Sequence, residues 1–406
     1  MKRSYALLGA LALLAACSED SRTPVAPVES APRAAAATGK YIVVLKEGAR
    51  QGPAFARLRV DGVADEADVQ PERVYTHVLN GFAAELTEAQ LNVLRRNPNV
   101  AYIEPDAEVK LFTTQANPIS WGLDRIDQLD LPLNAAFTYT ATGAGVNAYI
   151  LDTGINLNHL DYVGRAAYIP NGSNGDFVGD GHGSAADCQG HGSHVAGTVG
   201  GTYSGVAKGV TILMGRVVNC SGGGTTSMVI AGMDWIRANG QRPAVVNMSL
   251  GYGNVQSVAD AATNLVAAGY VVAVAAGNGN FLGVPINACN EAPAKAPNVL
   301  TVGSTTSTDA ESSFSNFGTC VDILAPGSAI YSSDYLVTNQ VVTKSGTSMA
   351  SPHVAGVAAQ YLSLNPTATP AQVTTAIKSA AVTGTINLHQ KSRKGNTPNL
   401  FLRTIW

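Results

Sequence analysis

The sequence predicts an α/β protein built on a doubly wound, largely parallel sheet, preceded by a small α+β unit. Three observations predict it. From Trp121 onward, apolar strand-like runs alternate with helix-like stretches. Glycine is abundant, at 42 residues, which suits many tight turns and close backbone approaches. At 406 residues the chain has room for more than one domain and at least one large core.

In chain order, Lys2 and Arg3 precede an uninterrupted Ala, Leu and Gly stretch from Ala6 to Ala16. That stretch is too short to span a bilayer and reads as an export signal over residues 1–17. Leu14-Ala15-Ala16-Cys17 resembles a bacterial lipobox, in which Cys17 is lipidated and becomes the first residue. Ser18 follows, so the Asp that signals inner-membrane retention is absent. An ordinary cleavage site around Ala34 to Ala37 is the alternative. Residues 18–38, rich in Ser, Pro and Ala, read as a flexible tether.

A compact unit spans 39–112. Tyr41–Leu45 and Gly81–Leu86 are strands, Thr87-Glu88-Ala89-Gln90 is a capping box opening a helix to about Arg96, and Val100–Ile103 is a further strand. In 113–406, strands are expected at 146–151, 211–218, 245–250 and 270–275. Helices are expected from His191, through 228–236 and 258–268, and from Ser348 to about Leu364. The last helix opens with Thr369, Pro370 and Gln372.

The formal charge of −3 argues against nucleic acid or an acidic membrane surface as a main partner. Apart from Cys17, four cysteines remain, Cys188, Cys220, Cys289 and Cys320; in an exported chain they read as two disulfides with three possible pairings.

Ligands of open α/β sheets bind outside the carboxyl ends of the parallel strands. Asp152 and Asn278 sit at such ends, and His191 and Ser348 sit at helix starts, so the fold delivers all four to one side. Taken singly, each has a plainer reading: a strand-ending turn residue, an N-cap, a turn asparagine. His191 with His194 raises the question of a metal, but no His-Glu-x-x-His pattern or third ligand accompanies them, so no zinc is expected.

Asp152-Thr153-Gly154, His191-Gly192-Ser193-His194 and Gly346-Thr347-Ser348-Met349-Ala350-Ser351-Pro352 together resemble the three signatures of the subtilisin-like serine proteases, in that family's chain order. Trp121 to Gln128 and Asp187-Cys188-Gln189-Gly190-His191 point to the proteinase K branch and its aqualysin-like enzymes. The resemblance covers nearly all of 113–406. It implies a serine endopeptidase with Ser348 as nucleophile, His191 as base, Asp152 orienting it, and Asn278 with the Ser348 N–H stabilising the oxyanion.

The resemblance further implies that Ser221-Gly222-Gly223-Gly224 and Ser249-Leu250-Gly251 pair with an extended peptide as added strands. Ala275, Ala276 and Gly277 are expected to line an apolar first pocket favouring apolar or aromatic residues. By the same resemblance Cys188 pairs with Cys220 and Cys289 with Cys320. Structural calcium is expected at Asp124, Asp127 and Gln128, although Ala136 lacks the side-chain oxygen that related enzymes often offer. A second calcium is expected at Asp322 with the Pro297 and Val299 carbonyls.

Residues 39–112 resemble the inhibitory propeptide of these proteases, and self-cleavage is expected near Phe112-Thr113. A lipid on Cys17 would then tether only the precursor in the bacterial envelope and release the mature enzyme to the outside. The expected partners are peptide and protein substrates and the chain's own propeptide, with the molecule a monomer. Competing readings are a non-catalytic relative retained for binding and a surface lipoprotein of structural role.

Overall fold

The computed structural model describes residues 38–47, 52–106 and 113–406. The export signal, Cys17, most of the tether and the Phe112 side of the expected cut lie outside these residues. The chain divides into two compact units, Met1–Val109 and Lys110–Trp406.

The first unit contains β1 (Thr38–Leu45), α1 (Pro53–Glu66), β2 (Arg73–Tyr75), β3 (Gly81–Thr87), α2 (Glu88–Arg96) and β4 (Val100–Pro105). Its antiparallel sheet runs β2-β3-β1-β4. Val43, Leu45, Val60, Phe82, Leu86, Leu91 and Leu94 form its core. The expected capping box opens α2, with Gln90 N donating to Thr87 Oγ1 and Thr87 N to Gln90 Oε1. α1 carries only a thin apolar stripe of Ala56, Val60, Val63 and Ala64, which periodicity does not reveal. Gly81 is required by close packing: a Cβ there would lie 2.2 Å from the Val43 carbonyl oxygen.

The second unit begins with β5 (Thr113–Ala116), α3 (Trp121–Ile126), β6 (Ala136–Tyr139), β7 (Asn147–Asp152) and β8 (Ala166–Tyr168). Next come α4 (His191–Gly200), β9 (Thr211–Arg216), α5 (Thr226–Asn239), β10 (Ala244–Met248), α6 (Gln256–Ala267) and β11 (Val271–Ala275). Then follow β12 (Leu300–Thr305), β13 (Ile323–Pro326), β14 (Ile330–Ser333), β15 (Val341–Lys344), α7 (Thr347–Leu364) and α8 (Pro370–Ala380). β16 (Val382–Thr383), α9 (Gln390–Lys394) and β17 (Leu400–Phe401) complete it. α8 is therefore not the last helix; α9 is too short and too charged to show an apolar period.

The main sheet has the order β16-β17-β13-β12-β11-β10-β7-β9-β8 and is parallel except for the β16–β17 pair. Side chains alternate between its two faces, as a period of two demands. Ala148, Ile150, Val245, Val271 and Ala273 join the core beneath α4 and α7, while Tyr149, Leu151, Val246, Met248, Val272 and Val274 join the core beneath α5 and α6. A sheet buried on both faces reads as continuous apolar runs, which is why those strands are legible to within a few residues. β12 and β13 follow β11 with only a one-turn 3-10 helix, Ala288–Asn290, before them, so the strand–helix alternation lapses there.

The chain steps from β7 to β9 on one side and then crosses back to place β10 on the other. That reversal is the topological switch point, and the crevice opens beyond the carboxyl ends of β7 and β10.

Candidate active site

Asp152 ends β7 and is buried; His191 opens α4 across the crevice. Asp152 Oδ1 lies 2.7 Å from His191 Nδ1 and also accepts from Thr153 N at 2.7 Å. Burial alone would hold the imidazole pKa down, but the Asp152 carboxylate outweighs it, and the pKa is raised above its ordinary 6.5. His194, one turn along, faces the core, where Nε2 meets the Ile330 carbonyl at 2.9 Å and burial holds its pKa down at about 3. The two histidines are thus electrostatically distinct.

A side chain absent from the sequence-based site anchors this arrangement. Asp187 Oδ1 accepts from Thr153 Oγ1, Gln189 N and Gly190 N, and its Oδ2 accepts from Ser193 N at 2.9 Å. It supplies a carboxylate to the amides at the start of α4 that have no partner within the helix and ties them to the Asp152 loop. An Asp a few residues before a helix start was the available signal. Gly192 permits the approach: a Cβ there would lie 2.2 Å from the Gly154 carbonyl oxygen and 3.2 Å from Asp152 Cβ.

Ser348 sits in the first turn of α7, pinned to the end of β10 by a buried relay. Ser351 Oγ donates to Asn247 Oδ1 (2.7 Å), Asn247 Nδ2 to Ser249 Oγ (2.9 Å), and Ser249 Oγ to the Ser348 carbonyl (2.8 Å). The Ser348 hydroxyl itself donates to the Ser249 carbonyl at 3.2 Å. α7 packs closely on the α4 region through Gly356, where a Cβ would meet Val206 Cβ at 2.6 Å.

Asn278 lies exposed beyond β11. Its Oδ1 accepts from Thr347 N (2.8 Å) and Thr347 Oγ1 (2.9 Å), which leaves the Nδ2 donors facing outward. A Cβ on Gly346 would lie 3.2 Å from Asn278 Nδ2 and 3.5 Å from Ser348 N, so both N–H donors adjoin the same small space. Asn316, fully buried, holds the turn behind them. It accepts from Gly279 N (3.0 Å) and Ile286 N (2.9 Å) and donates to the Ala276 carbonyl (2.9 Å). Nothing periodic in the sequence marks it.

Gly222, Gly223, Gly224, Ser249, Leu250 and Gly251 line a cleft of about 400 Å³ together with Asp152 and His191, and Thr153, Gln189, Val218 and Tyr252 join them. Ala275, Ala276 and Gly277 are not part of that lining. Ala275 is 4% and Ala276 0% exposed, so these two alanines present little side-chain surface, while Gly277 is partly exposed.

Cys188 is bonded to Cys220 and Cys289 to Cys320. The first bridge joins the segment before His191 to the segment before Gly222. His182 lies near Cys188 and Cys220, but sulfurs committed to a disulfide offer no thiolate to a metal.

The two expected calcium sites differ. Asp127 Oδ1 and Gln128 Oε1 are buried acceptors without a hydrogen-bond partner, which suits a hard cation. Burial pushes the Asp127 carboxyl up to about 6, and the nearby Asp124 charge adds to this. Asp124 is less available than expected, because its oxygens accept from Asn134 N and Ala135 N. At the second site the fit fails. Asp322 Oδ1 is paired with Lys378 Nζ at 2.5 Å and its Oδ2 accepts from Thr301 N, so an ammonium already supplies the positive charge at this carboxylate.

Among the described residues no helix is long and apolar enough to cross a membrane. The Subtilase family model matches residues 143–401, and the Peptidase inhibitor I9 model matches residues 40–112. The chain is 46% identical over 427 residues to the extracellular serine proteinase of Thermus sp. (strain Rt41A), with all of both chains covered. It is 46% identical over 368 residues to the alkaline serine exoprotease A of Vibrio alginolyticus, covering 88% of this chain and 66% of that one. The crystal structure of a cold adapted subtilisin-like serine proteinase matches with a TM-score of 0.65 at 47% identity, over 72% of this chain and all of that one. On these grounds the chain belongs to the subtilase family, as an aqualysin-like serine endopeptidase preceded by an I9 propeptide domain.

Proposed function

We propose that Ser348, His191 and Asp152 carry out peptide-bond hydrolysis as nucleophile, base and orienting acid, with Asn278 Nδ2 and the Ser348 N–H as the oxyanion donors. The 2.7 Å bond between Asp152 and His191 Nδ1 is the observation that carries this reading. With Nδ1–H committed to Asp152, Nε2 presents a lone pair to the nucleophile. The Ser348 hydroxyl exchanges its bond to Ser249 for one to Nε2, gives up its proton there, and attacks the substrate carbonyl. The amides at the start of α7 and the outward Asn278 donors meet the developing negative charge without reorganising. His191 then protonates the leaving amine, and water repeats the sequence to free the acid.

The glycine-rich 222–224 and 249–251 segments hold an extended peptide by its backbone. The propeptide over 39–112 inhibits the enzyme until it is cut off near Phe112-Thr113. Asp127 and Gln128 hold a structural calcium, which fixes the loops around it. Cys17 carries the lipid of a tethered precursor, and the mature monomer works outside the cell. Casein digestion by the wild type and Ser348→Ala tests the core of this reading. The variant is expected to be inactive and to accumulate uncut; equal activity in both would refute it. Mass spectrometry of the mature N-terminus tests the rest, with Thr113 expected and a lipid on the mature species excluding the release step.

A further inference from the structure

The substrate side chain just before the cut must enter beside Ser348, since its own carbonyl carbon is the atom attacked. Two segments flank the nucleophile there. Ser249 exchanges hydrogen bonds with Ser348, at 2.8 and 3.2 Å, and leads to Gly251. Gly277 N donates to Thr347 Oγ1 at 3.1 Å, immediately before Asn278. The gap between these walls has glycines on both sides, and one side chain reaches both. A Cβ on Gly251 would find Glu291 Oε2 nearest, at 3.6 Å; one on Gly277 would meet Asn316 and then Glu291 Cγ at 3.7 Å.

Glu291 is held in place, not loosely displayed. Gly253 N donates to its Oε2 at 2.9 Å, Lys295 N donates to its backbone carbonyl at 2.7 Å, and Tyr252 and Gly253 exchange backbone bonds with the adjoining Ala292. Among the described residues no Lys or Arg forms an ion pair with it. Lys295 Nζ turns instead to Asn254 Oδ1. A half-buried carboxylate loses hydration, and the one Gly253 N–H bond leaves its negative charge without a counter-ion until a cation arrives. We infer that Glu291 is a specificity-determining residue that selects substrates with lysine or arginine just before the cut.

The inference rests on the proteolytic reading above and differs from the expected apolar preference. Four peptide p-nitroanilides that differ only in that residue (Lys, Arg, Phe, Leu) provide the test on mature enzyme. kcat/KM for Lys and Arg is expected to exceed that for Phe and Leu by about 10-fold or more. Glu291→Gln keeps an oxygen for Gly253 N but removes the charge, and should lower the Lys-to-Phe ratio of kcat/KM by about 10- to 100-fold. Glu291→Lys should lower it further. Wild-type preference for Phe or Leu, or an unchanged ratio in Glu291→Gln, overturns the inference. If neither variant folds, the wild-type order alone decides. Failure to cut any of the four, with Ser348→Ala equally inert, instead overturns the proteolytic reading.

Discussion

Asn316→Ala separates the catalytic donor from the scaffold behind it. The substitution removes three side-chain hydrogen bonds, to Gly279 N, Ile286 N and the Ala276 carbonyl, at a fully buried position. Gly279 and Ile286 are partly exposed and can turn to water, whereas the buried region around Ala276 cannot do so freely. At about 1 kcal/mol for each bond and up to about 3 for a buried orphan, the loss is about 3–5 kcal/mol of stability. Melting of the variant against its parent, both in a Ser348→Ala background that prevents autolysis, measures this. In the active background, a loosened 276–279 turn misplaces Asn278 Nδ2. Because losing an oxyanion donor outright costs ~10²–10³ in kcat, Asn316→Ala should cost a substantial part of that range, with KM moving less. The decisive measurement is a double-mutant cycle with Asn278→Ala. If Asn316 acts through Asn278, adding Asn316→Ala to Asn278→Ala costs less than about 3-fold. Fully additive losses would refute the reasoning.

The remaining expectations concern charge, cross-links and metal. His191 must be neutral to act as base, and Asp152 raises its pKa, so kcat/KM should fall as pH drops through a value above 6.5. Asp152→Asn should lower kcat by ~10⁴ and move that limb to lower pH, as burial then prevails; a limb that stays put counts against the pairing. Replacing Cys188 and Cys220 with Ser should cost about 3 kcal/mol of stability and raise KM, since the bridge holds the 189–191 and 222–224 segments; unchanged KM argues against that role. Calcium at 100-fold over its Kd should add about 2.7 kcal/mol of stability, read as a rise in Tm, and Asp127→Asn should abolish the increment. An undiminished increment in that variant would place the metal elsewhere.

The buried strands were legible because a parallel sheet covered on both faces demands unbroken apolar runs ending at polar residues such as Asp152. α1 escaped notice because its buried stripe is mostly alanine and valine. β12 and β13 escaped because the helix that marks strand alternation is missing between them. Asp187 and Asn316 were not legible as site residues. Their partners are backbone amides brought near by the fold, and no periodicity records such pairs.

The calcium expectations divide the same way. Sequence neighbours Asp127 and Gln128 could be recognised as hard-oxygen donors, but the Lys378 that neutralises Asp322 lies 56 residues away. Sequence alone determined the reaction class, because acyl transfer needs particular residue types and these stand in three short signatures at strand ends and helix starts. Only the tertiary structure decided which partners the supporting polar groups take: the start of α4 for Asp187, the turn behind Asn278 for Asn316, Lys378 for Asp322. Hydrogen bonds and charges act over a few ångströms in space, and distance along the chain does not encode that proximity.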